Sequence, residues 1–172
     1  ERFVFILKAP QRITHQKRLA DVADDLHFFY ETAGVLGSKL GPVLFQLPPF
    51  AKKDAEKLRD FIKRLPRQQR AAFEFRHASW FDDEIYAILR DHDAALCAAD
   101  TDEVEDPATV LTPTASWGYL RLRRTEYAGD AIAAWAERVE RQPWSDAFVF
   151  FKHEDEGKGP IFADAFRAAL RG

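Results

Sequence analysis

The stretch Phe73-Glu74-Phe75-Arg76-His77-Ala78-Ser79-Trp80 predicts a buried strand that ends in ionisable groups and then turns into a helix. Side chains alternate along a strand, so Phe73 and Phe75 should point to one face and Glu74 and Arg76 to the other. Burying a glutamate and an arginine on a face of an interior strand costs free energy unless they pair with each other or with a ligand. The stretch therefore predicts both a core strand and the position of a functional site.

The same order, a buried strand followed by an amphipathic helix, recurs along the chain. Strands are predicted at residues 3–7, 42–47, 71–76, 94–99, 118–122 and 147–151. Helices are predicted from about residues 19, 54, 81, 132 and 160 onward, and 101–116 is predicted to be a loop. Such alternation indicates a parallel sheet covered by helices. No glycine-rich nucleotide-binding sequence follows any strand, which favours a parallel (β/α) barrel of about six units over an open doubly wound sheet.

Length and composition are typical of one ordinary globular domain spanning residues 1–172. Of the 172 residues, 47% are hydrophobic and 31% are charged, which disfavours a disordered chain. The net charge of −3 disfavours a generally basic nucleic-acid binder. The chain contains neither an 18-residue apolar run nor a signal peptide, so we expect a cytoplasmic protein that does not bind membranes. Its single cysteine, Cys97, is predicted to be a small core residue.

A polar residue lies at the carboxyl end of each predicted strand. In chain order these residues are Lys8, Gln46, Glu74 with Arg76, Asp100, Arg121 and Lys152. The carboxyl ends of parallel strands form the ligand face of α/β folds, so all six ends should gather at one mouth. Four cations against two carboxylates favour an anionic ligand, because arginine presents a planar fork to phosphate or carboxylate.

Residues able to move protons, together with aromatic residues, lie just beyond the strand ends. The candidates for proton transfer or ligand contact are His15, His77, Tyr127 and His153. Trp80 and Trp117 flank strand ends and are expected to line a pocket, whereas Trp135 should be a core residue.

Less specific interpretations remain open for the same residues. Glu74 with Arg76 or Arg121 also suits a structural ion pair that closes a barrel layer. A single histidine such as His15 or His77 often serves only to form hydrogen bonds within a loop. A metal site would draw on Glu74, His77, Asp100 and His153, but no close-spaced ligand pair supports it, and neither a metal nor a cofactor is assigned. The basic run at 63–70 is expected to be a solvated helix end.

Several stretches together resemble the DUF72 (YecE-like) family. They are residues 5–10 with 13–15, 40–49, 73–81, 119–122 with Tyr127, and 150–154. The resemblance covers almost the whole chain and implies a TIM-barrel-like fold but no established activity. Many relatives read Phe-Asn-Asn where residues 151–153 are Phe-Lys-His, so no role of an amide can be carried over there.

The resemblance also implies a missing part. Family members usually carry about two further βα segments upstream, and this sequence contains no methionine and begins directly with a predicted strand. We therefore expect an N-terminally truncated copy in which six strands leave two exposed edges, so oligomerisation stays open.

Together these observations predict an enzyme, a hydrolase or an isomerase, that acts on a small phosphorylated or carboxylated substrate. Arg76, Arg121 and Lys152 would hold the anion, Glu74 would be the general acid or base, and His15 or His77 its proton partner. One alternative is a metal-dependent phosphoesterase acting on nucleic acid, by analogy of fold alone. Another is a non-catalytic binding or scaffold module.

Overall fold

The computed structural model describes residues 3–102, 106–127, 129–151 and 157–171. The strands are β1 (Phe5–Lys8), β2 (Leu40–Gln46), β3 (Ala71–Glu74), β4 (Ala95–Leu96), β5 (Ala98–Asp100), β6 (Gly118–Leu122) and β7 (Ala147–Phe151). The helices are α1 (Ala23–Ala33), α2 (Ala55–Ile62), α3 (Asp83–Arg90), α4 (Ala131–Glu140) and α5 (Lys158–Ala169). Short helical turns lie at Arg12–Gln16, Gly34–Lys39, Ala78–Trp80 and Pro107–Thr109.

All strand pairs are parallel and follow chain order. One sheet runs β1-β2-β3-β4 and the other β5-β6-β7. Only Cys97 separates β4 from β5, and its N–H donates to the carbonyl of Phe73 at 2.8 Å, so the two sheets continue each other as one arc. Helices follow five of the six barrel strands, and between β5 and β6 the described residues form only the turn Pro107–Thr109. This order confirms the predicted α/β class with a TIM-barrel-like arrangement. Among the described strands, β1 and β7 lie at the ends of the arc.

Alternation along the strands separates two layers of core. Phe45 and Phe73 point outward, stack at 5.4 Å between ring centroids, and contact Phe61 of α2. The opposite faces form the barrel interior, whose buried side chains are Leu44, Ala72, Ala95, Cys97, Trp117 and Tyr119. Cys97 is therefore a core residue, as predicted, and the strand of Phe73 and Glu74 is buried on both faces.

The helices that cover the first sheet begin where their caps predict. Asp54 accepts a hydrogen bond from the Lys57 N–H at 3.0 Å and starts α2. Asp82 accepts one from the Ile85 N–H at 3.1 Å and starts α3. Each side chain satisfies an N–H group that has no partner within the helix, which fixes where the helix begins.

The predicted start of the first helix, at residue 19, is wrong. Arg18, Leu19 and Asp21 have φ angles of 47°, 69° and 50°, a left-handed conformation that an α-helix cannot contain, and α1 begins at Ala23. Leu19 is nevertheless buried, so its place in the apolar pattern reflects burial and not a helical turn. The chain instead forms the turn Arg12–Gln16, which carries His15.

Candidate functional site

Polar side chains form the last interior layer of the barrel, at the carboxyl ends of the strands. The Lys8 Nζ donates to the Gln46 Oε1 at 2.7 Å, and the Gln46 Nε2 donates to the Glu74 Oε1 at 2.7 Å. Gln46 and Glu74 are register partners on β2 and β3, so their side chains leave the same face of the sheet side by side. Both are buried, which requires each polar atom to find a partner inside the protein.

The Glu74 carboxylate is the centre of this layer. Its Oε2 accepts a short hydrogen bond from the Arg121 Nη1, and its Oε1 accepts one from the Arg76 Nε at 3.2 Å. The Arg123 Nη1 approaches Oε1 to 4.0 Å. With the bond from Gln46, both carboxylate oxygens are thus engaged in a side chain that is only 1% exposed.

The surroundings of Glu74 keep it ionised. Burial alone would raise its pKa, but the Arg121 guanidinium, the hydrogen bond from Gln46 and the Arg76 charge hold the pKa of Glu74 below its usual range. Glu74 was predicted to be a general acid or base. An ionised carboxylate with both oxygens occupied is instead suited to fixing the arginines around it.

Positive charge exceeds negative charge around Glu74. We call Lys8, Gln46, Glu74, Arg76, Arg121 and Arg123 the mouth cluster. Burial, followed by repulsion from Arg121, lowers the pKa of both Lys8 and Arg123, which is the effect expected where cations are crowded. Within the described part of the chain, the buried Nε of Arg123 has no hydrogen-bond partner. The cluster therefore holds a donor and positive charge that Glu74 does not satisfy.

A cleft opens beside the cluster. It has a volume of about 320 Å³. Its lining residues are Pro49, Glu74, Phe75, Arg76, Ala99, Thr101, Asp106, Ala108 and Arg123. Asp106 caps the turn Pro107–Thr109 by accepting a hydrogen bond from the Ala108 N–H at 2.8 Å. One wall of the cleft is therefore a short helical turn within a segment predicted to be a loop.

The two predicted histidines differ in their surroundings. Burial, and then the charges of Lys8 and Arg76, lower the pKa of His15, so its imidazole is neutral beside the mouth cluster. Its Nδ1 lies 2.8 Å from the Thr14 Oγ1. His77 caps the turn Ala78–Trp80: its Nδ1 accepts from the Ser79 N–H at 3.2 Å and lies 2.8 Å from the Ser79 Oγ. His15 is thus close to the cluster, whereas the Nδ1 of His77 is engaged in a local turn.

The prediction that all six strand ends gather at one mouth is wrong for Asp100. Its neighbour Ala99 lines the cleft, and Asp100 points the other way, into the helix layer. There it is fully buried and accepts hydrogen bonds from the Trp135 Nε1 at 3.0 Å and the Arg124 Nε at 2.8 Å. Alternation along β5 gives the physical reason, because only every second residue faces the interior.

Tyr127 and the tryptophans also lie away from the cluster. Tyr127 packs between Phe151 and Phe162, and burial raises the pKa of its hydroxyl. Trp80 is buried, stacks on Phe75 at 4.4 Å, and donates to the Ala51 carbonyl at 2.7 Å, so its ring belongs to the outer core rather than to the cleft. Trp117 precedes β6 and fills the interior at the amino end of the barrel. Trp135 is a core residue, as predicted.

Some predictions fall outside the described residues. Lys152 and His153 lie in a part of the chain that the structure does not describe. Among the described ranges, no three histidine, cysteine, aspartate or glutamate side chains are grouped closely enough to hold a metal ion. The helices in those same ranges are neither long nor apolar enough to cross a membrane. The cytoplasmic location stays a prediction.

Arg123 was not among the predicted site residues. It lies two residues after Arg121, and side chains two residues apart share one face of an extended chain, so both guanidinium groups reach Glu74. The spacing of Arg121 and Arg123 was therefore the available signal. Arg124, one residue further along, binds Asp100 on the opposite face.

Comparisons with known proteins agree on one family. The family model described as "Protein of unknown function DUF72" matches residues 1–172. A DUF72 family protein from Thermotoga maritima is 23% identical with a TM-score of 0.82, over 99% of this chain and 74% of that one. A DUF72 family protein from Enterococcus faecalis is 18% identical with a TM-score of 0.75, over 99% and 75%. At such identities the likeness shows the fold. No curated protein matches the chain, and the expected truncation stays a prediction.

Proposed function

Because this chain belongs to the DUF72 family, whose function is unknown, we propose from the geometry of the mouth cluster that it binds a small anionic substrate at the carboxyl ends of its barrel strands. The cleft beside the cluster gives such a ligand access to the guanidinium groups of Arg76 and Arg123. Ligands of α/β barrels bind at this face, which is consistent with the proposal.

The observation that carries the proposal is the unpartnered Arg123 Nε. A buried donor without a partner costs free energy, and native proteins retain few of them. The same side chain lies in a crowd of cations, where burial and Arg121 already lower its pKa. An anion in the cleft would accept a hydrogen bond from Arg123 and reduce the repulsion among its neighbours.

Glu74 and His15 have different roles in this proposal. Glu74 is an ionised counter-ion that holds Arg76 and Arg121 in place before the ligand arrives. Charged groups that are already in position stabilise the charge that develops on a substrate during a reaction. His15 is neutral and close to Lys8 and Arg76, so it is the group in the described mouth that suits accepting a proton from a bound substrate. The proposed activity is therefore general-base chemistry on a small anion.

The test is a titration of the protein with anions, followed by thermal unfolding. A ligand that binds only the folded state raises Tm, so we expect sulfate to raise the Tm of the wild type more than chloride does at equal ionic strength. Arg123→Gln should weaken sulfate binding about tenfold, because a charged hydrogen bond is lost. Its Tm without sulfate should change little, since the variant relieves repulsion.

Arg67→Gln is the matched control. It removes the same charge from an exposed residue before β3, at the other end of the barrel, and should bind sulfate as the wild type does. Equal sulfate affinity in Arg123→Gln and Arg67→Gln, both folded, would overturn the proposal.

A further inference from the structure

We infer that the anion is a doubly charged phosphoryl group, carried by a small phosphomonoester, and not a monocarboxylate. This inference rests on the proposed anion site and names the class of its ligand. The charge of the site, the directions from which its cations approach, and the size of the cleft support it.

The balance of charge fits a dianion. Lys8, Arg76, Arg121 and Arg123 supply four positive charges in the mouth cluster, and of these Arg76 and Arg123 line the cleft. Glu74 and Asp106 supply two negative charges, and Asp106 lines the cleft itself. His15 is neutral at pH 7.5, because burial and the nearby cations lower its pKa. An excess of two positive charges remains, which a monocarboxylate would neutralise by half and a phosphoryl dianion in full.

The cations approach from several sides of the barrel. Lys8 comes from β1, Arg76 follows β3, and Arg121 and Arg123 come from β6 and the residues directly after it. A planar carboxylate can be bound by one guanidinium fork. A tetrahedral phosphoryl group has three terminal oxygens that accept hydrogen bonds from different directions, which suits Arg76 and Arg123, two residues that follow different strands and both line the cleft.

The rest of the cleft limits the organic part of the ligand. Its walls include the small or apolar side chains of Pro49, Ala99 and Ala108 beside the charged groups. A volume of about 320 Å³ is at the lower end of small-molecule sites, which span roughly 300–1,000 Å³. The cleft therefore suits a phosphoryl group on a compact carbon skeleton.

Phenyl phosphate, benzoate and sulfate distinguish the ligand classes. Phenyl phosphate and benzoate contain similar rings, but at pH 7.5 phenyl phosphate carries two negative charges and benzoate carries one. Sulfate is a dianion throughout the range tested, so it reports any change in the protein's own charged groups, namely Lys8, His15, Glu74, Asp106 and the three arginines. Calorimetric titrations at pH 7.5 and pH 5.0 then compare the three probes on the wild type.

We expect phenyl phosphate to bind at least about tenfold more tightly than benzoate at pH 7.5, because one further charge is neutralised. Acidification to pH 5.0 protonates phenyl phosphate, whose second pKa is about 6, so its affinity relative to sulfate should fall about tenfold. Arg123→Gln should reduce the preference for phenyl phosphate over benzoate, and Arg67→Gln should keep it.

The outcomes separate the two proposals. If benzoate binds as tightly as phenyl phosphate and both binding events need Arg123, the dianion inference is wrong and the anion site remains. If phenyl phosphate keeps its affinity relative to sulfate at pH 5.0, the dianion inference is wrong as well. If none of the three probes binds, or if all bind Arg123→Gln as they bind the wild type, the anion site itself is disproved.

Discussion

Glu74 and Asp100 are two buried carboxylates at the ends of consecutive barrel strands, yet they lie in opposite layers of the molecule. Glu74 faces the barrel interior, where Lys8 and three arginines lie around it and a cleft reaches it. Asp100 faces the helices, where it bonds the indole of Trp135 in α4 and the guanidinium of Arg124. The cations around Glu74 outnumber the carboxylates beside the cleft, whereas Asp100 connects β5 to α4 through its hydrogen bond with Trp135.

The comparison shows that the face of the strand decides what a strand-end carboxylate does. Both residues have the same chemistry, nearly complete burial and an arginine partner. Only the residue on the interior face joins its counterparts from other strands, because the interior faces of all strands converge while the outer faces diverge toward separate helices. A polar strand end therefore predicts a shared site only when it lies on the interior face.

The largest effect is expected from Glu74→Gln. The substitution leaves the interior arginines without their counter-ion, and breaking a buried ion pair costs about 3 to 5 kcal/mol. Urea unfolding should show this loss in the free energy of unfolding. Sulfate should restore part of it, because a bound anion replaces the missing charge. A variant as stable as the wild type, or one that sulfate does not help, would contradict this account of the cluster.

A smaller loss of stability is expected from Asp100→Asn, which tests the second carboxylate of the comparison. The amide oxygen still accepts the hydrogen bond of Trp135, and Arg124 is 45% exposed and can return to water, so the loss should be about 1 to 2 kcal/mol. The same urea experiment measures it. Because Asp100 lies outside the mouth, added sulfate should stabilise this variant no more than the wild type. Rescue of the same size as for Glu74→Gln would place Asp100 functionally in the mouth.

The smallest expected effect is the pH dependence of the difference between wild type and Glu74→Gln. The pKa of Glu74 in the folded protein is lower than its ordinary value of 4.5, so its stabilisation is complete above that value and is lost as pH falls through the folded pKa. The difference between the unfolding free energies of the two proteins should therefore be widest near neutrality and narrow in the acid range, by the part that the pKa shift of Glu74 accounts for. A difference that does not change between pH 7 and pH 3 would exclude an ionised Glu74 as its cause.

The order of strands and helices could be predicted well from local patterns. β6 and β7 have the predicted bounds, and Asp54 marks the start of α2, because apolar runs, helical spacing and caps act over a few neighbouring residues. The start of α1 could not be predicted in this way. Leu19 continues the apolar spacing but has a left-handed backbone, and its N–H donates to the Ile13 carbonyl of the preceding turn at 3.0 Å.

The candidate site was predictable in part, for a related reason. The sequence by itself determined that polar residues end the strands, and it placed Lys8, Gln46, Glu74, Arg76 and Arg121 among them. Tertiary structure decided that Arg123 joins this group and that Asp100, Tyr127 and Trp80 do not. Alternation along one strand is a local property that a sequence carries. Which face of that strand becomes the interior is settled only when all strands curve into the barrel, and that requires contacts between residues far apart in the chain.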